Sequence, residues 1–385
     1  MALFLKWYSD RYKNCNFNNL TQKKIILSGI NMKEGGIFTI LDNCLQKISD
    51  YAEDKNLKVI ALVPDASQFN YPNIEYIAFP ESKKSWFKRV YYEYFYFKKL
   101  SKELQPDVWF SLHDMSPNVI AKKRFVYFHH PTIFYKSSFK DWKYDYKIGV
   151  FSILYEYLTR INLKKNHTVF VQQNWIKTEF EKLYKIQNIK VCNPEYTEEL
   201  TTKTTVLEKD KIHFFYPSFP RTFKNFELLF DAIELLDSSL RNKVRFHFTT
   251  IKDNPHKFAK HLYSKYNSMP EVDFKGWISR EEVLKLYNSV DCIIFPSKLE
   301  TWGLPLSEAK AFKKPILAAN LPYAKETVGD YDKVSFFDTE NPKELAQLLT
   351  NFVTKTIHFE GNSATFDKND QLNDWNSIFD YILKD

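Results

Sequence analysis

Two glutamates stand on either side of a predicted helix start in residues 295–309, FPSKLETWGLPLSEA. An apolar run ends, Glu300 and Gly303 occupy the loop, and Pro305 favours the first turn of a helix. Free N–H groups at a helix start bind anions, and a glycine lets a ligand approach the backbone. Carboxylates accept hydrogen bonds from sugar hydroxyls, so Glu300 and Glu308 fit a sugar ligand. They fit equally well a plain helix start, in which Glu300 complements the helix dipole and Glu308 is solvated.

Two polar loops in the first half of the chain are further candidates. His113 and Asp114 follow one predicted strand, and His129 and His130 follow another. Ligands of parallel sheets bind at the carboxyl ends of the strands, so His113 and His129 are expected to face a cleft. A lone histidine at a strand end is more often structural than catalytic. The spacing of the four side chains matches no standard ligand pattern, so we expect no metal.

The elements that position these residues alternate between short apolar runs and helical periods. Strands are predicted at 24–29, 58–63, 108–111, 125–128 and 168–171, with helices near 37–48, 86–103, 147–163 and 175–185. After a polar stretch, the alternation restarts with strands at 212–216, 245–250, 272–274, 292–295 and 316–319. This pattern predicts an α/β protein with two doubly wound parallel sheets that face each other across a cleft.

The same pattern divides the chain into four parts. We predict a first domain over 1–196, a linker over 197–210 and a second domain over 211–370. The last part, 371–385, is predicted to contain a helix that packs back on the first domain.

Composition narrows the classes of protein. The 385 residues carry 55 Lys and Arg against 47 Asp and Glu, and residues 1–200 hold a net charge of +9. This positive half suits nucleic acid, an anionic membrane surface or a phosphorylated substrate. No apolar run reaches the length of about 18 residues that a membrane span needs. The four cysteines form no CxxC pair, and the N-terminal apolar run is too short for a signal peptide, so we expect a cytoplasmic protein.

The segment from Glu300 to Asp330 resembles the signature of glycosyltransferase family 4, whose retaining enzymes have the GT-B fold with two Rossmann-like domains. That signature has two glutamates separated by seven residues around Gly-Leu-Pro, then an alanine-rich helix and a buried strand, here AKAFKKPILAAN. The resemblance implies that Glu308 holds the ribose of a nucleotide sugar. It implies that Glu300 holds the donor sugar. Thr301, Trp302 and the amides of Gly303 and Leu304 lie within the same donor site.

The resemblance extends upstream. Residues 275–278, KGWI, are similar to the glycine turn beside the nucleotide base, which implies base contacts for Gly276 and Trp277. Residues 216–226, YPSFPRTFKNF, are similar to the phosphate-binding loop. This implies that Lys224 and Arg221, beside Ser218, hold the donor diphosphate. The arginine of the family lies five residues before the lysine, where this chain has Phe219, so the assignment of Arg221 is the weaker one.

Two positions in the first half complete the resemblance. Gly36 is similar to the glycine of a loop that lies against the donor phosphate and the acceptor. His129, before His130 and Pro131, is similar to a histidine that contacts the donor sugar near the reacting carbon. The implied reaction needs no cofactor and no metal. It transfers sugar from a UDP- or GDP-sugar to a glycan or lipid-linked acceptor, in the synthesis of O-antigen, capsule or a similar surface polysaccharide.

Residues 83–102, KKSWFKRVYYEYFYFKKLSK, interleave seven basic residues with aromatic ones. Such a helix can lie on an anionic membrane, which would place the protein at the inner face of the plasma membrane. It would also arise if half of the aromatic residues were core and the lysines solvated. Two further functions stay open, namely a sugar-nucleotide epimerase or hydrolase of the same fold and a catalytically silent binding protein. Nucleic acid is not expected as a partner, because nothing else in the chain supports a stacking platform.

Overall fold

The computed structural model describes residues 22–33, 35–53, 55–193, 200–366 and 371–384. Two sheets contain all the strands of these residues, and every strand pairs with its neighbours in parallel. The first sheet has the order β14-β7-β6-β5-β4-β1-β2-β3. Its strands are β1 Lys23–Ser28, β2 Leu57–Val63, β3 Ile74–Ala78, β4 Val108–Ser111, β5 Lys123–Phe128, β6 Thr168–Val171, β7 Ile189–Cys192 and β14 Gln371–Leu372.

The second sheet has the order β10-β9-β8-β11-β12-β13. Its strands are β8 Ile212–Tyr216, β9 Val244–Phe248, β10 Val272–Phe274, β11 Cys292–Phe295, β12 Ile316–Ala319 and β13 Val334–Phe337. The predicted pair of parallel α/β sheets is therefore confirmed. The strands at 74–78 and 334–337, at the edges of the two sheets, are ones that the sequence pattern missed.

Helices connect the strands of both sheets. In the first domain they are α1 Gly36–Glu53, α2 Trp86–Tyr91, α3 Phe97–Leu104, α4 Phe139–Tyr144, α5 Tyr146–Arg160 and α6 Asn174–Tyr184. In the second domain they are α7 Phe226–Glu234, α8 Ser238–Arg241, α9 Lys257–Tyr266, α10 Arg280–Ser289, α11 Leu304–Ala311, α12 Pro322–Val328 and α13 Pro342–Val353. A capping box begins α10, where Ser279 and Glu282 exchange hydrogen bonds.

A π-helical turn, Tyr92–Tyr96, interrupts the long helix predicted over 86–103 and separates α2 from α3. The wider turn changes the backbone pairing, and residue 118 hydrogen-bonds to two of its carbonyls: the Asn118 N–H donates to the Glu93 carbonyl (2.9 Å) and its Nδ2 to that of Tyr94 (3.3 Å). Periodicity does not reveal such a turn, because one extra residue leaves the apolar pattern almost intact.

The chain returns to the first domain at its end. Strand β14 pairs with β7, and helix α14, Trp375–Leu383, buries Trp375, Ile378, Phe379 and Ile382 in the core beside α1. Asp374 caps this helix by accepting from the Ser377 N–H at 2.7 Å. Residues 194–199 lie outside the described residues, so the predicted domain boundary at 196 and the start of the predicted linker fall there.

Polar contacts join the domains on two sides of the cleft. On one side the buried carboxylates Asp141 and Asp145 of the α4–α5 region accept hydrogen bonds from Thr222 and Arg221. On the other side Glu326 of α12 accepts from the backbone and side-chain nitrogens of Asn174, at 2.7 and 2.8 Å. The cleft between the sheets is thus held at two points.

Candidate active site in the cleft

A cleft with a volume of about 670 Å³ lies between the domains, at the carboxyl ends of strands from both sheets. Loops after β8, β10 and β11 form one wall, and the start of α1 with the ends of β5 and β6 forms the other. This is where open parallel sheets bind ligands. Most of the predicted site residues line it: Gly36, His129, Ser218, Lys224, Trp277, Glu300, Thr301, Trp302, Gly303, Leu304 and Glu308.

The loop between β11 and α11 carries the two glutamates. Gly303 has φ +82° directly before the helix, a conformation that favours glycine. A Cβ there would also lie 3.4 Å from the side chains of Leu306, Phe295 and Tyr323. The Trp302 indole donates to the Ser307 hydroxyl at 2.9 Å, which fixes the loop on the helix. The loop therefore fixes the position of the Gly303 and Leu304 N–H groups at the start of α11, where an anion can bind.

Two ion pairs occupy the cleft wall of the second domain. Lys224 pairs with Glu300, and Arg280 at the start of α10 pairs with Glu308 at 2.8 Å. Glu308 is only 6% exposed, so the interpretation of Glu308 as a solvated helix residue is wrong. Among the described residues that line the cleft, these four are the only Lys, Arg, Asp and Glu residues. Each of the two cations is therefore already paired with a carboxylate. A phosphate that replaced a carboxylate in such a pair would leave that carboxylate able to accept hydrogen bonds from hydroxyl groups.

Lys224 is held by the backbone around it. It closes the short 3-10 turn Thr222–Lys224, and Asn225 follows with φ +57° before α7 begins. The Tyr216 hydroxyl donates to the Lys224 carbonyl at 2.8 Å. These contacts fix the origin of the lysine side chain while its ammonium group stays at the cleft.

The opposing wall brings the first domain close to α11. A Cβ built on Gly36 would lie 3.9 Å from the Leu304 Cδ1 atom across the cleft. Beside Gly36 the first turns of α1 contribute Ile37, Thr39, Ile40 and Asn43 to the lining. Gly36 thus lies close to the start of α11, and its predicted position against the donor phosphate and the acceptor stays a prediction.

His129 presents one unpaired ring nitrogen. Its Nε2 lies 2.6 Å from the Leu112 carbonyl, which can only accept, so Nε2 carries the proton. The Nδ1 atom is then an acceptor, and no described residue donates to it. Burial lowers the pKa of His129, with Asp114 opposing the shift. Because this Nδ1 atom is buried in the structure, the contact of His129 with a donor sugar stays a prediction.

His113 lies behind this wall in a buried cluster and does not line the cleft. Its Nδ1 lies 2.6 Å from Arg89 Nη2, and its Nε2 lies 3.5 Å from Glu93. Burial raises the pKa of Glu93 to about 8, while Arg89 opposes the shift. Burial and the charge of Arg89 hold the pKa of His113 well below its usual range. The cluster supports the loop of His129 from below.

The structure does not bring Arg221 to the cleft. Its guanidinium pairs with Asp145 and lies 3.1 Å from His256 Nε2, on the side of the loop that faces α4 and α5. Gly276 also lies outside the lining, and its carbonyl accepts from the Thr250 N–H at 3.0 Å. Arg221 therefore joins the domains in this structure, and the cation that accompanies Lys224 in the cleft is Arg280.

This difference can be tested. Replacing Arg221 with alanine is expected to leave the affinity for pyrophosphate and nucleotides within about twofold, and to lower the unfolding midpoint by a few degrees, because it leaves the buried Asp145 short of a partner. Calorimetric titration and thermal unfolding measure the two effects. Lys224→Ala serves as the matched control and is expected to weaken pyrophosphate binding. A strong loss of pyrophosphate affinity in Arg221→Ala would return Arg221 to the donor site.

The lining also contains residues that the sequence did not predict, among them Arg280, Gln172, Phe219 and Trp375. Arg280 follows a cap serine, and its distance of 28 residues from Glu308 gives no sign of the pairing. Trp375 arrives from the returning helix α14. Phe219 was visible as a departure from the family pattern, which could have marked it as a functional position.

Comparison with known proteins shows which proteins the second domain is similar to. Residues 196–364 match the family model of the glycosyl transferases, group 1. A protein encoded in the cps region of Klebsiella pneumoniae is 22% identical over 204 residues, about half the length of each protein (51%). A serotype-specific mannosyltransferase of Escherichia coli, WbdA, is 28% identical over 127 residues, which cover 32% of this chain and 15% of WbdA.

Solved glycosyltransferase structures share the whole architecture. Sucrose-phosphate synthase of Thermosynechococcus elongatus has a TM-score of 0.63 at 15% identity and covers 87% of this chain and 90% of its own. WaaG, a glycosyltransferase of lipopolysaccharide biosynthesis, has a TM-score of 0.61 at 15% identity, and the match covers 86% of this chain and 92% of WaaG. Anabaena HepE in complex with UDP has a TM-score of 0.58 at 15% identity, and the match covers 87% of this chain and 90% of HepE. The predicted GT-B fold is confirmed.

Proposed function

We propose that this protein is a retaining glycosyltransferase of the family 4 type, which transfers sugar from a nucleoside diphosphate sugar to a hydroxyl of a glycan or lipid-linked acceptor. The observation that carries the proposal is the pair of ion pairs, Lys224–Glu300 and Arg280–Glu308, beside the start of α11 in an interdomain cleft. The group 1 match of the second domain supports it. The cps-region and WbdA relatives support a role in surface polysaccharide synthesis.

The donor would exchange partners with these ion pairs. Its diphosphate binds Lys224 and the N–H groups of Gly303 and Leu304. Because Lys224 then no longer pairs with Glu300, the Glu300 carboxylate is able to accept hydrogen bonds from hydroxyls of the donor sugar. Glu308 accepts from the ribose hydroxyls. Thr301 and Trp302 shape the loop between Glu300 and Gly303. Ser218 anchors the facing loop, the one that follows β8. The complexes of HepE with UDP and with UDP-glucose support a uridine donor, and a guanosine donor fits the same contacts.

The chemistry needs positioning and charge stabilisation. The acceptor oxygen attacks the anomeric carbon from the face that the diphosphate leaves. A new carbon–oxygen bond forms, the bond to the phosphate oxygen breaks, and the acceptor proton moves to that oxygen. Lys224 stabilises the departing negative charge, and His129, which lines the cleft, contacts the donor sugar. The charge is met by side chains and amides, so we propose that the reaction is independent of metal and cofactor.

Turnover with a panel of donors tests this proposal. The protein is incubated with UDP-, GDP- and ADP-sugars and an acceptor extract, with and without EDTA, and proton NMR reports the anomeric configuration of the product. We expect one donor to be consumed only when acceptor is present, equally with EDTA, and with retained configuration. Consumption without acceptor would indicate a hydrolase or epimerase, and an inverted product would overturn the retaining mechanism.

We also propose that the first domain contacts an anionic membrane at the inner face of the plasma membrane. Phe87 is 88% exposed, Tyr91 and Phe95 are exposed beside it, and α5 exposes Ile153, Leu154 and Tyr157. Trp86 of α2 packs on Phe151 and Tyr155 of α5, so the exposed residues of these two segments lie on neighbouring helices. Exposed lysines surround this surface: Lys83, Lys84, Lys88, Lys98, Lys99, Lys102, Lys143 and Lys147. No described helix is long and apolar enough to cross a membrane.

Replacing Phe87 and Tyr157 together with serine is expected to reduce sedimentation with anionic vesicles at least about tenfold, because both rings would insert at the interface and electrostatic attraction alone is weak. The assay compares phosphatidylglycerol-containing vesicles with purely zwitterionic ones. Leu235→Ser, an exposed apolar position on the second domain, is the control and should bind as the wild type does. Equal binding of the wild type to both vesicle types would contradict the membrane proposal.

A further inference from the structure

A buried chain of hydrogen bonds runs from the first domain to the loop between β11 and α11, which we call the donor loop. Gln173, directly before α6, donates from its Nε2 atom to the Thr327 hydroxyl oxygen at 2.7 Å. Thr327 lies on α12, and its hydroxyl donates to the Trp302 carbonyl in the donor loop. Gln173 and Thr327 are both buried, so water does not compete for these bonds. The chain therefore links the first domain to the loop that carries Glu300 and Gly303.

The partners of the chain fix the direction of every bond in it. The Trp175 indole N–H can only donate, so the atom of Gln173 that faces it at 2.7 Å is the oxygen Oε1. The Nε2 atom then donates to the Tyr323 carbonyl at 3.2 Å and to the Thr327 hydroxyl. Because the Thr327 oxygen accepts this bond, its proton is available to the Trp302 carbonyl, which can only accept.

Gln173 is available to the second domain because another residue caps its helix. It occupies the N-cap position of α6, where a short polar side chain usually accepts from the first amides, and its own side chain makes no such bond. Glu326 of the second domain takes this role and accepts from the Asn174 N–H at 2.7 Å and the Trp175 N–H at 3.3 Å. The interface thus replaces the local cap, and the Gln173 amide crosses it.

The last bond of the chain sets the direction of a peptide group. The Trp302 carbonyl and the Gly303 N–H belong to one peptide unit, and none of the described residues has a cis peptide bond. In a trans unit these two groups point in opposite directions. Gly303 has φ +82°, and a glycine has many other backbone conformations open to it. The bond from Thr327 therefore holds the Gly303 N–H on the side of the loop that faces away from Thr327.

We propose that Gln173 and Thr327 are positioning residues, through which the first domain orients the donor loop. Gln173 holds the Thr327 hydroxyl, and Thr327 holds the peptide unit between Trp302 and Gly303. Neither Gln173 nor Thr327 lines the cleft. Their effect on the donor rests on the proposed function, in which the Gly303 N–H binds the diphosphate. Sugar transfer then depends on the contact between the domains at this point.

Steady-state kinetics with matched variants tests the role of the hydroxyl. Thr327→Val keeps nearly the same volume and removes the hydroxyl. It is expected to lower kcat about tenfold and to change the donor KM less than about threefold, because a misdirected N–H has its largest effect when charge develops on the leaving group. Thr327→Ser keeps the hydroxyl and should stay within about twofold of the wild-type kcat. Thr178→Val makes the same exchange at an exposed hydroxyl of α6 and should behave as the wild type does.

A variant of the first domain tests the link between the domains. Gln173→Met removes the amide and is expected to lower kcat about threefold to fivefold, because the Thr327 hydroxyl loses the bond that orients it. The double variant of Gln173→Met and Thr327→Val should lose no more than Thr327→Val alone, since Gln173 acts through that hydroxyl. Independent losses that multiplied would contradict a single chain.

The donor loop can also be followed without any ligand. Labelling with fluorotryptophan gives Trp302 a fluorine NMR resonance, which Trp302→Phe identifies. Gln173→Met, although it lies in the other domain, is expected to shift or broaden this resonance, as Thr327→Val does. Thr178→Val is expected to leave it unchanged.

Three outcomes would overturn the proposal. Wild-type kcat in both Thr327→Val and Gln173→Met would show that the chain does not affect the reaction. Equal losses in Thr327→Val and Thr327→Ser would assign the effect to packing at this position, and an unchanged Trp302 resonance in Gln173→Met would show that the first domain does not orient the loop. If the wild type transferred no sugar, the proposed function would fail, and the fluorine resonance would still decide whether the domains are coupled here.

Discussion

Lys224→Ala is expected to lower kcat/KM for the donor about 100- to 1,000-fold, the range found when one preorganised group that stabilises developing charge is removed. The leaving diphosphate gains negative charge as the anomeric bond breaks. Lys224 pairs with Glu300 in the loop before α11, and its backbone is fixed on both sides. Steady-state release of nucleoside diphosphate measures the effect. We expect a larger change in kcat than in KM, because the interaction strengthens in the transition state.

A control must separate this effect from the loss of the ion pair. Lys224 and Glu300 are both mostly buried, so removing the lysine alone leaves a carboxylate short of its partner and costs stability. The double variant Lys224→Met with Glu300→Gln removes both charges and is expected to unfold close to the wild-type temperature while staying inactive. Full activity of Lys224→Ala would exclude Lys224 from the charge stabilisation.

Glu308→Ala is expected to weaken nucleotide binding about 10- to 100-fold, since hydrogen bonds to a charged group contribute about 1.5–3 kcal/mol. The carboxylate is buried against Arg280, whose own side chain is nearly half exposed. Removing the glutamate therefore returns an arginine to solvent and leaves no buried charge behind, so the fold should be preserved. Calorimetric titration with the preferred nucleoside diphosphate measures the loss.

The conservative variant sharpens this prediction. Glu308→Gln keeps the shape and one acceptor oxygen, and it should bind the nucleotide with an affinity between those of the wild type and Glu308→Ala. The matching 2′-deoxynucleotide should lose affinity in the wild type and lose little more in Glu308→Ala, because both changes remove the same contact. If the two losses added up independently, Glu308 would not hold the ribose.

The sequence was most informative where short-range patterns and chemistry coincide. The loop from Glu300 to Glu308 could be predicted because its glycine, proline and carboxylates each have a local physical role, and the structure places them together on the cleft. The parallel sheets followed from buried strands that alternate with helical periods. The fate of Phe219 and Arg221 could not be predicted, because the partner that holds Arg221 is Asp145 of the other domain, 76 residues away.

Long-range pairing limited the prediction elsewhere as well. Arg280 reaches the site only because the start of α10 lies beside α11 in the folded second domain. Of the eight aromatic residues in 83–102, Tyr92, Tyr96 and Phe97 surround Phe79 in the core, whereas Phe87, Tyr91 and Phe95 are exposed. The interpretation of part of this segment as core is therefore confirmed, while contact with a membrane stays a proposal. The exposed residues of α5 that extend the same surface carry too weak a helical pattern to be selected from sequence alone.

In the proposed mechanism, the two ion pairs of the cleft also make the site specific. Each cation is neutralised until a ligand offers both an anion for the lysine or arginine and hydroxyls for the glutamates. Free phosphate satisfies only the first requirement and a free sugar only the second. A nucleotide sugar satisfies both, which favours the complete donor over its fragments.

Thermal unfolding with UDP, GDP and ADP, each with and without EDTA, tests the central claim most directly, because a ligand that binds the folded state raises the midpoint. The account predicts a clear rise with one nucleoside diphosphate, the same rise with EDTA, and its loss in Glu308→Ala. A midpoint that no nucleotide shifts would contradict a nucleotide-sugar site in this cleft, and a rise abolished by EDTA would contradict a metal-independent one.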